Sequence, residues 1–596
     1  MLIYRNFRSL TVVLAIFASA ASSALGMSVS LGPSVQSPAP VGTVIRWTAQ
    51  TPDAAPARSW YRFRVREAGN PFETIVDYGP KNTFDWTAGD HEGTYEIEAS
   101  ARNLDTGDTA VTSALYQMTS RVTGDSPVIS PTANPLVFLY STPACPAGSR
   151  MRVQFTDAGG NPQSTPSKAC HAGRSMNFYL AGFRQNETYS VQHTIDSSPQ
   201  PVNGPILSLT SGVLPKEVAA YTVLMSHTPA VTGGVVLQST ILQMSLATDL
   251  NGNVIWFYDG DISFLTRPEP GGKFFGIFEE PTTDTAHQFF REIDVAGNTL
   301  LETNAARVSE QLIAVGAHPI TAFHHEARRT PDGKILLLAT TERFLTDIQG
   351  PGAVDVLGDT IIVLDKDLQL AWYWDAFDHL DPRRMATLGE VCAPVGGGCP
   401  PFYQAPQAND WLHGNSLQVA PDGAILYSVR HQDWVVKIDY GNGTGSGDVI
   451  WRLGKDGEFR MVSDDPNPWF SHQHDAQFER DGMTMTLFDD GNVRRASDPT
   501  ANSRGQVLQI DESNRTARLS VNTDLGAYSY ALGAAQRLPN GHFFFGNGWI
   551  RGGPDGSENL AQSIELDSNG NIVYNLQVAT PLYRSFRMRD LYTPYQ

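Results

Sequence analysis

The sequence predicts an all-β fold, a six-bladed β-propeller preceded by N-terminal β-sandwich domains of the immunoglobulin-like type. Short apolar runs alternate with turns along most of the chain, and glycine and proline are abundant, with 53 and 38 residues. A four-strand pattern also recurs with a spacing of about 40–60 residues, which is typical of a propeller. At 596 residues the chain is too long for one hydrophobic core.

The first 26 residues, MLIYRNFRSLTVVLAIFASAASSALG, have the layout of a secretory signal peptide. Two arginines precede an apolar run from Leu10 to Phe17, and small residues follow it. The run is too short to span a membrane, and no other apolar segment of the sequence is long enough. The mature protein is therefore expected to be exported, periplasmic or extracellular, with no membrane span.

Four cysteines suit two disulfides in an oxidising compartment. Local pairing joins Cys145 to Cys170 and Cys392 to Cys399, and the glycines of CAPVGGGC make the second loop easy to close. Neither pair has histidines at metal-site spacing, so the cysteines predict no metal site.

The formal net charge of −19 argues against nucleic acid and anionic membranes as partners. The net charge does not exclude a small anionic ligand, because such a ligand needs only local positive charge.

Three segments follow the signal peptide. Residues 27–125 contain alternating runs such as YRFRVRE and GTYEIEASARN, which predict the immunoglobulin-like sandwich. Residues 126–215 begin with a proline-rich linker and predict a small β-domain. Residues 216–596 contain six repeats with D-G or N-G turns, which predict the six blades of a catalytic domain.

The turn glycines align the repeats and bring histidines into register. Counting back from Gly333, Gly423, Gly482 and Gly541, the eighth residues are His325, Asn415, His474 and Gly533, and the tenth are Phe323, His413, His472 and Ala531. Positions two apart on a strand face the same way, and the first strand of each repeat is predicted to line the central channel. Any single strand histidine is more often structural, but a structural role does not require polar residues at matching positions of successive repeats.

The prediction is therefore a cluster from three adjacent blades, formed by His325, His413, Asn415, His472 and His474. The same alternation places His324 and Asp475 on the opposite face, as packing or backbone-bonding residues. The remaining histidines of this region, His318, His379 and His431, are predicted to be loop or surface groups.

Three stretches resemble the bacterial arylsulfotransferase family, whose members use aryl sulfates rather than a nucleotide sulfate as donor. They are FHHEARRTPDG, WLHGNSLQVAPDGAILYSVRHQDWVVKID and SHQHDAQF…LFDDGN, and the terminal YRSFRMRDLY is also similar to that family. The resemblance runs from about residue 130 to 596. It implies that 126–215 is the family's small N-terminal β-domain and that 27–125 is an addition.

The resemblance also implies roles for individual residues. His474 matches the transiently sulfated histidine, Arg430 the essential arginine, His325 the first-blade histidine, and His413 with Asn415 the H-x-N pair. The role of His472 stays open.

This chemistry suits the residue types. A neutral imidazole can attack sulfur through one nitrogen while a hydrogen bond holds the other. The Arg430 fork fits two sulfuryl oxygens, and His413 or His325 could protonate the leaving phenolate. Trp411 and Trp469 precede these strands and could stack on an aryl ring, although packing between blades explains each at least as well.

The predicted function is a sulfotransferase that moves a sulfuryl group from an aryl sulfate donor to a phenolic acceptor, by a ping-pong route through a sulfohistidine. No cofactor or metal is expected, and a homodimer is compatible with the resemblance. Two alternatives stay open, a metal-dependent propeller lyase or hydrolase and a non-catalytic binding propeller. The fixed cation Arg430 and a scarcity of carboxylates around the histidines argue against the metal.

Overall fold

The computed structural model describes residues 27–52, 58–156, 162–196, 200–227, 231, 233–279, 284–393, 405–551 and 559–595. Within these ranges the regular structure is almost entirely β, with three α-helices, α1 Lys216–Ala219, α2 Ala305–Ala314 and α3 Asn492–Ser497. The all-β prediction is therefore confirmed. No helix in these ranges is both long enough and apolar enough to cross a membrane. The predicted signal peptide and Cys399 lie outside the described residues.

The first strands form two sheets around a common core. They are β1 Ser30–Pro33, β2 Ala39–Pro40, β3 Ile45–Gln50, β4 Ser59–Glu67, β5 Glu73–Gly79, β6 Thr83–Trp86, β7 Gly93–Asn103 and β8 Thr109–Thr119. One sheet has the order β1-β3-β6, and the other contains β2-β8-β7-β4-β5. Trp47 of the first sheet packs edge-on against Tyr116 of the second, with ring centroids 5.6 Å apart, so the two sheets bury one shared apolar layer.

The next strands form two smaller sheets. They are β9 Val128–Pro131, β10 Val137–Thr142, β11 Arg150–Thr156, β12 Pro162–Ser164, β13 Lys168–Ala169, β14 Met176–Ala181, β15 Thr188–Asp196, β16 Val202–Asn203 and β17 Leu207–Thr210. The predicted disulfide between Cys145 and Cys170 is present. Cys392 is disulfide-bonded as well, and its predicted partner, Cys399, is outside the described ranges.

The C-terminal strands build a series of antiparallel sheets. They are β18 Val223–His227, β19 Val235–Thr240, β20 Leu246–Asp249, β21 Val254–Phe257, β22 Phe264–Glu269, β23 Lys273–Phe278, β24 Phe289–Asp294, β25 Thr299–Asn304, β26 Ala322–Arg329, β27 Ile335–Thr346, β28 Ala353–Leu364, β29 Leu370–Asp375, β30 Val391–Cys392, β31 Ala408–Asp410, β32 Gly414–Val419, β33 Ile425–Val429, β34 Trp434–Ile438, β35 Val449–Gly454, β36 Arg460–Val462, β37 His474–Phe478, β38 Thr484–Asp489, β39 Arg504–Asp511, β40 Thr516–Asp524, β41 Gly533–Arg537, β42 Phe543–Ile550, β43 Leu560–Leu566, β44 Ile572–Val578, β45 Leu582–Asp590 and β46 Thr593–Pro594.

In the described part of the chain these strands give six four-stranded units, here numbered sheets I to VI. Their strand orders are β45-β19-β20-β21, β22 to β25, β26 to β29, β32 to β35, β37 to β40 and β41 to β44. The first strands of successive sheets lie beside one another, and β45 lies against both β41 and β22. The six sheets match the six predicted repeats in number. No sheet among the described residues closes on itself, so the propeller stays a prediction.

Sheet I joins the two ends of this region. Its strand β45 comes from the C-terminus and pairs with β19, with Val235 opposite Met588 and Leu237 opposite Phe586. The C-terminal strand therefore completes a sheet whose other strands lie at the beginning of this region.

The strand alternation used in the sequence prediction fails at the first strands of sheets III to V. Their pairing shifts register between Phe323 and Ala327, between Gly414 and Ser416, and between His474 and Gln477. Positive φ angles accompany the shifts, at His325 (57°), His413 (51°), His472 (54°) and Asp475 (53°). A bulge breaks the two-residue period of side-chain direction, so neighbouring residues such as His324 and His325 can reach the same place.

The N-terminal sheets are joined to sheet II. Strand β5 pairs in parallel with β25 at Val76 and Glu302. The Asn304 side chain donates to the Tyr78 carbonyl over 2.8 Å, and Arg307 pairs with the buried carboxylate of Asp77 at 3.2 Å. The N-terminal module is thereby fixed to the edge of sheet II.

A buried ion network connects the first strands of four sheets. Glu326 of β26 accepts hydrogen bonds from Arg267 of β22 at 2.8 Å and from Arg584 of β45 at 3.1 Å. Asp475 of β37 pairs with the same two arginines. Burial raises the pKa of Asp475, but the two guanidinium groups prevail and bring it to about 2. The expectation that Asp475 is a packing or backbone-bonding residue was incomplete, because its carboxylate takes part in this network.

Replacing Glu326 by Gln should strongly destabilise the C-terminal sheets. The change removes one of the two carboxylates that the buried guanidinium groups share, and breaking a buried ion pair costs about 3–5 kcal/mol. Denaturant unfolding followed by tryptophan fluorescence measures the effect.

The matched control is Asp85→Asn, which removes the exposed partner of Arg46 and should leave the unfolding midpoint unchanged because water and salt screen that pair. A Glu326→Gln protein as stable as the unmodified chain would contradict the structural role of the network.

Candidate active site

Five imidazoles lie in contact where sheets III, IV and V begin. They are His324, His325, His413, His431 and His472, and this group is called the imidazole row below. Successive ring centroids are 5.0, 4.9, 4.7 and 5.6 Å apart. The prediction that His431 lies at the surface is wrong, because the residue is only 2% exposed.

His474, the first residue of β37, lies next to the row and is 2% exposed. Its Nδ1 is 2.6 Å from Oδ2 of Asp490. Burial lowers the pKa of His474 well below 6.5, and the positive charges of Arg430 and His413 lower it further. Burial also raises the pKa of Asp490, against the influence of Arg430. Both shifts disfavour the charged forms of this buried pair.

Arg430 comes from a 3-10 turn, Arg430–Gln432, that follows β33. Its Nη1 lies 2.6 Å from Nε2 of His431, and its Nη2 donates to the Tyr530 carbonyl over 2.9 Å. The buried Nε–H has no hydrogen-bond partner among the described residues. The guanidinium therefore keeps unused N–H groups for an anion.

Asn415 is fully buried on β32 and connects this strand to the beginning of β37. Its Nδ2 donates to the Gln473 carbonyl over 2.7 Å, and its Oδ1 accepts from the Asp475 backbone N–H at 3.3 Å. The amide thus holds the segment that carries His472 and His474, with one N–H left over.

Carboxylates stand behind the imidazoles, and the expectation of few carboxylates is wrong. Asp410 pairs with Nδ1 of His413 at 2.7 Å and Asp490 with Nδ1 of His474. His472 lies between Glu390 and Asp433, with Nδ1 3.0 Å from the latter.

The signal for these acids was present in the sequence. Asp410 lies three residues before His413, Asp433 follows the RHQ triplet, and Asp490 belongs to the DDGN turn. The alignment of the repeats on their turn glycines did not identify these acids, because it compared only positions on the strands.

The two histidines of β26 have opposite protonation tendencies. Burial lowers the pKa of His324, but the carboxylate of Asp359 outweighs burial and raises it. This carboxylate lies 3.2 Å from Nε2 of His324 and is not aligned for a hydrogen bond. Burial and then His413 lower the pKa of His325 well below 6.5. Their Nδ1 atoms are 2.8 Å apart, and the two pKa directions favour His324 as the donor and His325 as the acceptor, an arrangement that leaves Nε2–H of His325 as a donor. His324 is therefore part of the site and not of the opposite face.

The C-terminal strand supports the site from sheet I. Tyr583 donates its hydroxyl to the His325 carbonyl, and Arg584 donates to the Asn415 carbonyl over 2.6 Å. The charge of Arg584 also lowers the pKa of both His325 and His474. Sequence alignment of the repeats missed these two residues because they belong to no D-G turn.

Trp411 is a core residue, and its ring is not available to a substrate. Trp411 is 1% exposed, its indole N–H donates to the Arg384 carbonyl over 2.9 Å, and its ring packs on Phe377. Substrate stacking is therefore wrong for Trp411, because its ring faces are used in packing. Trp469 is half-buried and lies edge-on to Phe470.

Tyr528 interacts electrostatically with Asp490 and Arg430. Burial raises its pKa to about 12, the Asp490 carboxylate adds to this, and Arg430 opposes it. The phenol is therefore within electrostatic reach of the two residues that flank His474.

Two large cavities lie away from the row. One of about 700 Å³ is lined by arginines at the other ends of the first strands, among them Arg480 and Arg537. A cleft of about 1100 Å³ lies between the N-terminal sheets and sheet II. Neither contains a group from the imidazole row, and the grouped ionisable side chains favour the row as the place of chemistry.

Comparison with known proteins points to one family. The family model described as arylsulfotransferase (ASST) matches residues 206–586. An arylsulfate sulfotransferase of Escherichia coli is 26% identical over 334 residues, which cover 47% of this chain and 52% of that protein. The chain thus matches about half the length of this curated relative.

Among solved structures, the chicken CNTN1 FN1–FN3 domains are 8% identical, with 32% of this chain and 68% of that chain covered and a TM-score of 0.14. A similarity of this size carries no argument about the fold or the site.

Proposed function

The chain belongs to the arylsulfotransferase family, and from this premise we propose that it transfers a sulfuryl group from an aryl sulfate donor to a phenolic acceptor through a sulfated His474. The observation that carries the proposal is the placement of His474. It is buried, tied to Asp490 through Nδ1 at 2.6 Å, and under the influence of the Arg430 charge. A nucleophile, its orienting group and an anion-binding cation are thus supplied by one cluster.

In the first half-reaction, the lone pair on Nε2 of His474 forms a bond to sulfur as the bond between sulfur and the aryl oxygen breaks. The electron pair of that bond leaves on the phenolate oxygen. The reactive form keeps a single proton between Asp490 and Nδ1 of His474, because a proton on Nε2 would remove the nucleophile. Asp490 thereby orients the ring and selects its reactive nitrogen.

His413 is the group best placed to move the proton. Asp410 holds its Nδ1 at 2.7 Å, so Nε2 is the nitrogen that can exchange a proton with the substrate. In the proposed cycle, Nε2 gives a proton to the leaving phenolate. In the second half-reaction it takes the proton of the acceptor phenol, whose oxygen attacks sulfur while the N–S electron pair returns to His474.

Fixed donors would stabilise the sulfuryl oxygens. The unpaired Nε–H of Arg430 and the Nε2–H of His325 are both available. Donors held in place before the reaction act without reorganisation, and removing one such donor typically costs about 10²–10³-fold in rate.

The aryl ring of the donor is proposed to pack on Tyr528. This ring takes over the role expected of Trp411, which is occupied in the core. Aromatic pairs add about 0.5–1.5 kcal/mol beyond the burial of their area.

The propeller is proposed as the arrangement that joins these groups. Its support is the order of first strands β22, β26, β32, β37, β41 and β45, each lying against the next, with β45 also against β22. A ring of this kind would place sheets III, IV and V side by side, as the imidazole row requires. Export of the chain is proposed on the residue pattern of positions 1–26.

Incubation with an aryl sulfate and no acceptor should add the mass of one SO₃ to the peptide that contains His474. The covalent intermediate accumulates because nothing removes the group, and intact-mass and peptide mass spectrometry detect it. His474→Asn should carry no such mass and should lose transfer to phenol. Full turnover by that variant, or SO₃ on another residue, would refute the assignment.

Asp490→Asn should lower kcat by about 10²–10⁴-fold and leave KM nearly unchanged, because an amide can hold His474 in the tautomer with a proton on Nε2. Steady-state and single-turnover kinetics measure the change. The control is Asp489→Asn, an equally buried neighbour that pairs with Arg494 and should affect thermal stability more than kcat. Equal kinetic losses in the two variants would mean that Asp490 acts only through folding.

Tyr528→Ala should raise KM for the aryl sulfate about tenfold with little change in kcat, since a stacking contact of about 1.4 kcal/mol corresponds to a factor of ten. Trp469→Ala is the matched aromatic control and should leave KM unchanged. The reverse pattern in initial-rate measurements would assign the aryl contact to Trp469.

A further inference from the structure

Glu390, His431 and His472 bring one carboxylate and two imidazoles together beside Arg430. One ligand atom from each lies within 4.8 Å of the others. The three residues come from separate segments, the loop before β30, the 3-10 turn after β33 and the segment before β37. Two imidazole nitrogens and one carboxylate oxygen are a common ligand set for zinc and for other divalent transition metals.

Both imidazoles have their second nitrogen fixed, as in metal sites. Nδ1 of His472 lies 3.0 Å from Oδ1 of Asp433, and Nδ1 of His431 lies 2.7 Å from the Asp410 carbonyl. A hydrogen bond from the other ring nitrogen to a carboxylate or carbonyl orients the ring and directs Nε2 to the ion. These partners therefore make Nε2 the ligating atom in each ring.

Both ligating nitrogens already have a hydrogen-bond partner in the structure. Nε2 of His472 contacts Oε1 of Glu390, and Nε2 of His431 lies 2.6 Å from Nη1 of Arg430. A metal ion would replace the proton between His472 and Glu390, and such proton release is usual for metal binding. It would also release Arg430 from His431.

The surrounding charge favours a cation despite Arg430. Asp433 and Asp410 lie behind the two rings, and Glu390 faces them. Three carboxylates against one guanidinium remove the objection that a fixed positive charge repels a metal.

We propose that Glu390, His431 and His472 bind one divalent transition metal ion of the zinc class, with a fourth position open to solvent on the side of the part-exposed Glu390. A second set, Asp410, His413 and His431, shares one ligand. In that set His431 would turn Nδ1 to Asp410 Oδ2, 3.7 Å away, although this nitrogen already donates to the Asp410 carbonyl. The first set is therefore the site.

The test is titration of the chelator-treated full-length chain with Co²⁺, followed by visible spectroscopy and metal analysis after desalting. One Co²⁺ per chain should bind, with the intense ligand-field absorption of a low-coordinate site, and Zn²⁺ should displace it. Glu390→Gln and His472→Gln should each abolish binding. Asp433→Asn should weaken it by about 10–100-fold, as loss of an outer-sphere partner does.

Two histidine variants serve as controls. His542 pairs with Glu565 at 2.8 Å in sheet VI, and His542→Gln should bind Co²⁺ normally. His413→Gln should also bind it, since His413 belongs only to the second set. Absence of stoichiometric Co²⁺ binding, or its loss in His413→Gln but not in His472→Gln, would overturn the proposal.

Folding and the transfer reaction are checked separately. Glu390 lies in a loop with its side chain 20% exposed, so Glu390→Gln should keep the near-UV circular dichroism of the unmodified chain. SO₃ trapping on His474 reports on the transfer proposal, and Co²⁺ titration on the metal site. A chain that forms the sulfated histidine but binds no Co²⁺ contradicts the metal site alone.

Discussion

His325, His413 and His474 each commit one ring nitrogen to a fixed partner, and the chemistry of the other nitrogen depends on that commitment. Asp410 holds His413, Asp490 holds His474, and the neighbouring ring of His324 holds His325. An imidazole buried without such partners would rotate or lose its defined tautomer. Under the proposed function, the fixed nitrogens would give these similar side chains separate tasks, as nucleophile, proton carrier and donor.

The backbone explains why so many rings meet in so little space. A regular strand would send alternate residues to opposite faces, so His324 and His325 could not both contribute. Register shifts at the start of β26, β32 and β37 remove this limit. Glu326 and Asp475 lie within the shifts of β26 and β37, and their ion pairs with Arg267 and Arg584 connect these two strands to β22 and β45. Local irregularity is thus supported by a rigid, charge-paired layer.

The sequence allowed prediction of the strand repeats and of the gathering of His325, His413, His472 and His474, because both follow from periodic spacing. It did not allow prediction of side-chain direction, since the bulges that set it have no clear signature in one sequence. The sequence predicts His431 to be a loop or surface group, and no spacing rule indicates its burial in the 3-10 turn after β33. The sequence allows two interpretations of Trp411, a substrate contact or packing, and the residue packs in the core between sheets III and IV. Long-range contributors such as Arg584 depend on the pairing of β45 with β19, which no local pattern reveals.

The contact between Arg430 and His431 separates two electrostatic regions of the site. On one side, Arg430 and Arg584 act on His474, which suits an anionic sulfuryl group. On the other side, Glu390, Asp433 and Asp410 surround His472 and His431, which suits a cation. The guanidinium compensates the acidic side when no metal is bound, and a metal ion would take over that compensation. Arg430 would then be free to turn all its donors toward the anion, so occupancy of the acidic side and binding of the sulfuryl group should favour one another through this one side chain.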